Sequence, residues 1–247
     1  TSMDVGEHPA CVRGKNWIFT NADSVKMYYN DIFITEFFPE NSPFKNLSHP
    51  PLLIDDFVGN RFVEEEGLSE SVSRDAKKIV NFVAMNGQIK FPKEYFAVRL
   101  RLFFKGYNAD KIRKLYDKYV GNWGGAASVY KFEAVKNGKV VKTVSKGPVK
   151  KLSLEAVCST DELKIENSWD ASVIRLAVKD QYGNVVPYYM ESVSLSASGA
   201  IELIGPDVAS FRGGYAGTFV RTTGKKGKGQ LTVRTGNLSK KLFFTVK

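Results

Sequence analysis

Apolar and polar positions alternate in short runs from residue 16 onward, and the period changes once before it returns. Asn16-Trp17-Ile18-Phe19-Thr20 reads as a strand ended by a turn at Asn21-Ala22-Asp23. Val25–Tyr28 and Ile32–Ile34 flank Tyr29-Asn30-Asp31, a hairpin signal. Pro39 to Pro51 is proline-punctuated loop, after which Leu52-Leu53-Ile54 and Phe57-Val58 resume an apolar pattern. Near Ser69 the period lengthens. Ser73 is placed to cap a helix carrying Ala76, Ile79, Phe82 and Val83, which Asn86-Gly87 stops. Pro92 suits the start of a second helix, with Phe96, Leu100, Phe103 and Phe104 as its core-facing stripe and Gly106 as its end. Asn108 opens a third, with Ile112, Leu115, Tyr116 and Tyr119 on one face.

Alternation returns at Ser128–Ala134, and Asn137-Gly138 is a strong type I′ turn into Val140–Val144. Gly147-Pro148 breaks the pattern. Beyond it every segment reads as strand and turn, giving about seven strands at the regular spacing of an immunoglobulin-like sandwich. The expected fold class is therefore mainly β, with two β-sandwich (immunoglobulin-like) domains. The first spans 3–148, with a three-helix insertion at about 70–121, and the second spans 149–247.

Composition fits a folded chain of 247 residues, 43% hydrophobic and 25% charged, with the aromatic supply that pleated surfaces use. The net charge of +10 raises nucleic acid as a partner. Its distribution argues otherwise: Lys151 to Lys247 hold 13 basic and 9 acidic residues, leaving 23 and 17 for the rest, with no basic arm. Lys225-Lys226-Gly227-Lys228 and Lys240-Lys241 fit turns and edge strands, where lysine discourages further pairing. No recognition motif accompanies them, so no nucleic-acid partner is expected. No signal-like run is present, and no stretch nears the roughly 20 apolar residues that span a bilayer, so no membrane partner is expected either. Cys11 and Cys158 are far apart and lack a CxxC companion, which reads as idle thiols and mildly favours a reducing, cytoplasmic compartment over secretion.

Candidate chemistry is sparse. A glycosidase needs two carboxylates across a sugar bond, about 5 Å or about 6.5–9.5 Å apart. Glu64-Glu65-Glu66 and Asp55-Asp56 are the acidic clusters; the first reads as a solvated face or helix-start charges, the second as a cap or turn. His8 and His49 both precede proline in loops, and the chain has no other histidine, so no metal site or Cys–His pair is expected. No nucleotide or nucleophile-elbow motif is present, and no cofactor is expected. Catalytic residues are accordingly none. Trp123, framed by Gly121 and Gly124-Gly125, is a candidate carbohydrate or domain contact against the alternative that it covers its own core, and Tyr188 and Tyr189 after Pro187 carry the same two readings. Trp17 and Trp169 read as core or turn-packing residues.

Several segments together resemble the C-terminal region of family 2 glycoside hydrolases, the bacterial β-galactosidase-like group. They include Phe19–Tyr28, His49-Pro50-Pro51, Ile54-Asp55-Asp56-Phe57, Tyr119–Gly125, Gly138–Lys142, Ile204-Gly205-Pro206, Arg212-Gly213-Gly214 and Val220–Gly224. The resemblance implies a parent enzyme whose catalytic glutamates lie in an upstream barrel, with this chain as non-catalytic accessory domains. That upstream catalytic domain would then be the partner, with carbohydrate as a further ligand and a homo-oligomer formed through the parent. The helical insertion departs from the plain sandwich of most members. Asp180–Pro187 separately resembles bacterial immunoglobulin-like repeats, which leaves an independent carbohydrate-binding module or an adhesin spacer as alternatives.

Overall fold

A computed structural model describes residues 13–87, 90–121 and 128–247, and the chain divides into two compact units between Pro148 and Val149. In the first unit, strands β1 (Asn16–Ile18) and β4 (Leu52–Ile54) form an antiparallel pair. Strands β2 (Ser24–Tyr29), β3 (Ile32–Phe37), β5 (Tyr130–Lys136) and β6 (Lys139–Lys146) form a four-stranded antiparallel sheet in the order β3-β2-β5-β6. Both hairpins turn where expected. Asn30 and Asp31 have φ of 47° and 65°, and Asn137 and Gly138 have 50° and 72°. These paired left-handed residues match the strand twist.

Alternation gives the sheet one buried face. Val25, Met27 and Tyr29 of β2, Ile34 of β3, and Tyr130 and Phe132 of β5 enter one core cluster. On the opposite face Lys131 lies 4.4 Å from the ring centre of Tyr28 and 3.3 Å from the Asp31 carboxylate. The helices inserted between β4 and β5 supply the other half of the core. They are α1 (Arg61–Glu64), α2 (Glu70–Asn86), α3 (Tyr95–Phe104) and α4 (Ala109–Tyr116), the last continued by a π-helical turn at Asp117–Gly121. Phe62, Val72, Ala76, Val80, Leu102, Leu115 and Tyr119 pack into the same cluster as the sheet residues.

Two helix boundaries follow the expected chemistry. Gly87, at φ 72°, ends α2 and donates its N–H to the Val83 carbonyl at 2.8 Å, and the Asn108 side chain accepts from Lys111 N–H at 3.0 Å to cap α4. Other expectations are corrected. The start of α2 is Ser69, not Ser73, because Ser73 N–H already donates to the Ser69 carbonyl and its side chain is buried within the helix. The short α1, Arg61-Phe62-Val63-Glu64, was not expected, because four residues are too few to show a helical period. The apolar stripe assigned to α3 faces the wrong way: Val98 and Leu102 are buried, while Phe96, Leu100, Phe103 and Phe104 are exposed. The helix is apolar on two faces, and periodicity alone does not choose between them.

The second unit is two antiparallel-rich sheets around their own core. Strands β7 (Ser153–Cys158), β9 (Ala171–Lys179), β11 (Ile201–Ile204) and β13 (Tyr215–Thr222) form one, in the order β11-β13-β9-β7. Strands β8 (Glu162–Leu163), β10 (Ser192–Gly199), β12 (Val208–Ser210), β14 (Gly227–Thr235) and β15 (Leu238–Val246) form the other, in the order β12-β10-β14-β15-β8. Ile174, Leu176 and Val178 from the first sheet meet Val193, Leu195, Leu231, Val233 and Phe244 from the second in one buried cluster, as a sandwich requires. After β9, the Asp180 carboxylate accepts from the N–H groups of Tyr182 and Asn184, both at 2.8 Å, and from Asn184 Nδ2 at 3.0 Å. That Asx turn explains why Asp180–Asn184 punctuates the strand pattern.

One glycine in the first unit does more than turn the chain. Gly59 has φ +63°, and a Cβ there would lie 2.0 Å from the Ile34 carbonyl oxygen of β3. Gly67 has a similar φ of +64° but open space around it. Gly59→Ala is expected to cost about 3 kcal/mol or more, from a steric conflict added to left-handed strain. Gly67→Ala is expected to cost only about 1–2 kcal/mol. Urea midpoints of the two variants check this; equal losses would contradict it.

Candidate functional site

The loop 55–60 joins β4 to α1 and carries the densest polar network in the first unit. Asp56 Oδ1 accepts from the N–H groups of Val58 and Gly59, both at 3.0 Å, and from Asn81 Nδ2 of α2 at 3.2 Å. Asp56 Oδ2 pairs with Lys77 Nζ, also on α2, at 2.6 Å. Asn81 completes the link by accepting the Phe57 N–H at 3.1 Å. Phe57 is thereby fixed in the core, with its ring centre 6.4 Å from that of Tyr130.

This network forms the floor of a cleft of about 620 Å³ lined also by Asp55, Glu64, Glu70, Arg74, Lys78 and Tyr95. Burial works to raise the Asp56 carboxyl, but Lys77 and the Gly59 and Val58 amides outweigh it and hold the group below the usual carboxylate range. Asp55 is shifted the other way, by burial first and then by the neighbouring Asp56 charge. The two adjacent carboxyls have opposed environments, as catalytic pairs do. Their hydrogen bonding gives them a different task, because the oxygens of Asp56 are committed to two amides, an amide side chain and an ammonium. Asp56 is a loop-and-helix clamp.

Two of the three glutamates in the run are also committed. Glu65 pairs with Arg61 at 2.6 Å within one helical turn, and Glu66 accepts from Lys118 Nζ and from the Tyr119 hydroxyl, at 2.5 and 2.6 Å. The Tyr119 hydroxyl is pushed up to about 12, by burial first and then by its bond to Glu66. Across the sheet, Arg13 Nε donates to the Tyr130 hydroxyl at 3.0 Å while its guanidinium also donates to the Val120 carbonyl. Among the described residues no group of three or more His, Cys, Asp or Glu side chains is arranged to hold a metal ion. No helix among them is long and apolar enough to cross a membrane.

The aromatic candidates separate. Trp123 lies outside the described residues, as do His8 and Cys11. Tyr188 and Tyr189 are adjacent in sequence but differ in surroundings. Tyr189 packs edge-on against Phe211 with ring centres 5.3 Å apart, and its hydroxyl shares a 2.9 Å hydrogen bond with Thr235 Oγ1. Tyr188 is exposed. Trp17 is half-buried against Phe44, whereas Trp169 is exposed beside the Arg221 guanidinium, 5.7 Å from the ring centre. Arg221 in turn pairs with Glu202 at 2.7 Å on the neighbouring strand β11. The Asn167-Ser168-Trp169-Asp170 stretch is polar on both sides of the indole, a signal that a surface ring was present there.

A second cavity, of about 1160 Å³, is apolar and lies among α2, α3 and α4. Val83, Phe91, Phe103, Tyr107, Ile112 and Tyr116 contribute to its lining, with Arg99, Arg113 and Asp117. Phe91 and Tyr95 close around Phe82 of α2, with ring centres 5.1 and 4.7 Å from it.

No protein-family model and no curated protein matches the chain. Solved structures do. A β-glycosidase from Bacteroides vulgatus aligns with TM-score 0.56 and 15% identity, over 97% of this chain and 24% of that one. A glycosyl hydrolase family 2 member from Bacteroides cellulosilyticus aligns with TM-score 0.52 and 14% identity, over 97% of this chain and 26% of that one. A β-glucuronidase from glycoside hydrolase family 2 gives TM-score 0.50 and 13% identity, over 97% and 19%. The likeness is one of fold, and the chain spans about a quarter or less of the length of these glycosidases.

The Asp56 clamp carries its own test. A carboxyl held low in the folded state stabilises it above the ordinary value near 3.8, and that contribution fades as pH falls through the lower, folded value. Asp55, held high, has the opposite sign and favours the folded state at low pH. Asp56→Asn is expected to cost about 2–3 kcal/mol at pH 7 by stranding Lys77 and loosening the loop amides. The gap from the parent protein should narrow below pH 4. Denaturant melts at pH 7 and pH 3 check this, and a gap that widens on acidification would contradict it.

Proposed function

We propose that this chain is a pair of non-catalytic accessory domains from a larger glycoside hydrolase of family 2, with a β-galactosidase-like parent. In this reading the fragment supports domain assembly, stability or the rim of an active site that lies elsewhere in the parent, and its principal partner is the parent's upstream catalytic domain. The observation that carries the reading is the fold likeness over 97% of this chain to a limited segment of family 2 glycosidases. The state of the acidic residues supports it. Asp56, Glu65 and Glu66 are each bound to cations or amides of their own unit.

A second reading has a narrower base, the exposed aromatic rings of the second unit. Trp169 beside Arg221 and the exposed Tyr188 offer flat apolar faces of the kind that stack on sugars. An independent carbohydrate-binding module would use such rings.

Purified chain incubated with aryl β-galactosides and aryl β-glucuronides is expected to give no turnover above buffer. Turnover that survives purification and is abolished by Asp55→Asn or Glu64→Gln would sink the non-catalytic reading. Affinity electrophoresis in soluble polysaccharides distinguishes the second reading: retardation lost in Trp169→Ala or Trp123→Ala would establish glycan binding, and unchanged mobility in every gel would remove it.

A further inference from the structure

The cleft bounded by α2 and the loop 55–60 holds polar groups that the fold does not use. Its floor is spent, because Lys77 and Asn81 are both bonded to Asp56. Around that floor Asp55, Glu64, Glu70, Arg74 and Lys78 line the space without an ion pair among the described residues. Ser73 adds an independent sign. It is only 4% exposed, it lines the same cleft, and its hydroxyl has no hydrogen-bond partner among the described residues. A buried hydroxyl left unsatisfied costs stability, and alanine would suit the helix better. A ligand that bonds the hydroxyl in the cleft removes that cost.

The shape and chemistry of the lining select the ligand. The lining follows α2 from Glu70 to Met85, about 22 Å at 1.5 Å per residue, so the cleft is long and takes a linear molecule. Its volume of about 620 Å³ is that of a small-ligand site. Charges of both signs border it. Asp55, Glu64 and Glu70 would repel a phosphate chain, and Arg74 and Lys78 would repel a polyamine. An apolar chain would strand them all. A hydroxyl suits both signs, because it donates to a carboxylate and accepts from an ammonium or guanidinium. A chain carrying hydroxyls throughout meets the lining along its whole length. Toward Met85 the lining turns aromatic, with the rings of Tyr95 and Phe82 centred 4.7 Å apart. A flat ring beside hydrogen-bonding groups fits the C–H face of a pyranose.

We propose that this cleft binds a short linear saccharide, with one sugar ring against Tyr95 and further hydroxyls bonded to Asp55, Ser73 and Lys78. The choice of a saccharide among hydroxyl-rich chains rests on the accessory-domain reading. It gives that reading a definite role: the first unit grips a stretch of glycan while the bond is cleaved elsewhere in the parent. The Asp56 clamp keeps the site in shape. It fixes the backbone beside Asp55 and, through Lys77 and Asn81, the face of α2 that carries Ser73 and Lys78.

Saturation-transfer difference NMR of the full chain with lactose, cellobiose, xylobiose and mannobiose, each at about 5 mM, tests the site. At least one sugar is expected to receive saturation, with a dissociation constant on the order of 1 mM. Asp55→Ala and Ser73→Ala are each expected to weaken binding about ten-fold, the scale of one lost hydrogen bond to a charged or buried group, without lowering the melting temperature. Tyr95→Ala is expected to abolish the transfer, but it also removes packing against Phe82 and Phe91, so the first two variants decide. No transfer to any of the four sugars overturns the proposal, as does transfer that Asp55→Ala and Ser73→Ala both leave intact. Transfer lost in Trp169→Ala but kept in Asp55→Ala would move sugar binding to the second unit and overturn it too. Saturation of a Glu-Lys dipeptide and of no sugar would assign the cleft to a zwitterionic peptide instead. The accessory-domain reading fails on a different result, turnover of aryl glycosides by the purified chain, so the two failures are separable.

Discussion

The carboxylate of Asp56 is the point through which the first unit holds its helices against its sheet. Strand β4 delivers the loop, and α2 receives it through Lys77 and Asn81. The amides of Val58 and Gly59 fold the loop around the same carboxylate oxygen. Two consequences follow at once. Phe57 is swung into the core beside Tyr130 of β5, and Gly59 is pressed against the Ile34 carbonyl of β3, so one short loop touches both layers. The helical layer could otherwise slide, because the faces it presents to the sheet are broad aliphatic surfaces with little directional preference. Partly buried, hydrogen-bonded charge supplies the direction, as polar networks do when every member is satisfied. Arg13 makes a second polar link on the same ring, joining the Tyr130 hydroxyl to the Val120 carbonyl.

Where structure is local, the sequence was a sufficient guide. Tyr29-Asn30-Asp31 and Asn137-Gly138 are hairpin turns because their left-handed conformations suit few other residues. The second unit's strands are legible because each buries alternate residues, as Ile174, Leu176 and Val178 do. The helix α3 marks the boundary of that reasoning. Its sequence holds two apolar stripes, and only the three-dimensional partner, α2, decides which one is buried. The Asp56 clamp was equally out of reach, since it joins residues 21 and 25 positions apart with no periodic signature. Asp55-Asp56 could be read as a turn or cap, and a cap is part of what Asp56 is. Tyr188 and Tyr189 show the same limit at single-residue scale, one ring outward and its neighbour bonded to Thr235.

For function, the balance of the two units is informative. Each has its own buried hydrophobic core, and several ionisable side chains, Asp56, Glu65, Glu66 and Asp75 among them, are held by partners within their own unit. What they offer outward is surface: the exposed stripe of α3, the Trp169–Arg221 pair, and exposed apolar residues on β6 and the β2–β3 hairpin such as Val141 and Phe33. Surfaces of that kind belong to proteins that work in contact with something else. The accessory role proposed above would use surface and ask no chemistry of these residues.

The most direct measurement is the sequence of the full transcript that encodes this chain, read in frame upstream of Met3. The accessory-domain account predicts a long segment of repeating strand and helix containing two well-separated glutamates at strand ends, the pattern of a catalytic barrel. An upstream frame made instead of tandem immunoglobulin-like repeats behind a secretion signal would contradict it and would place the chain among surface spacers.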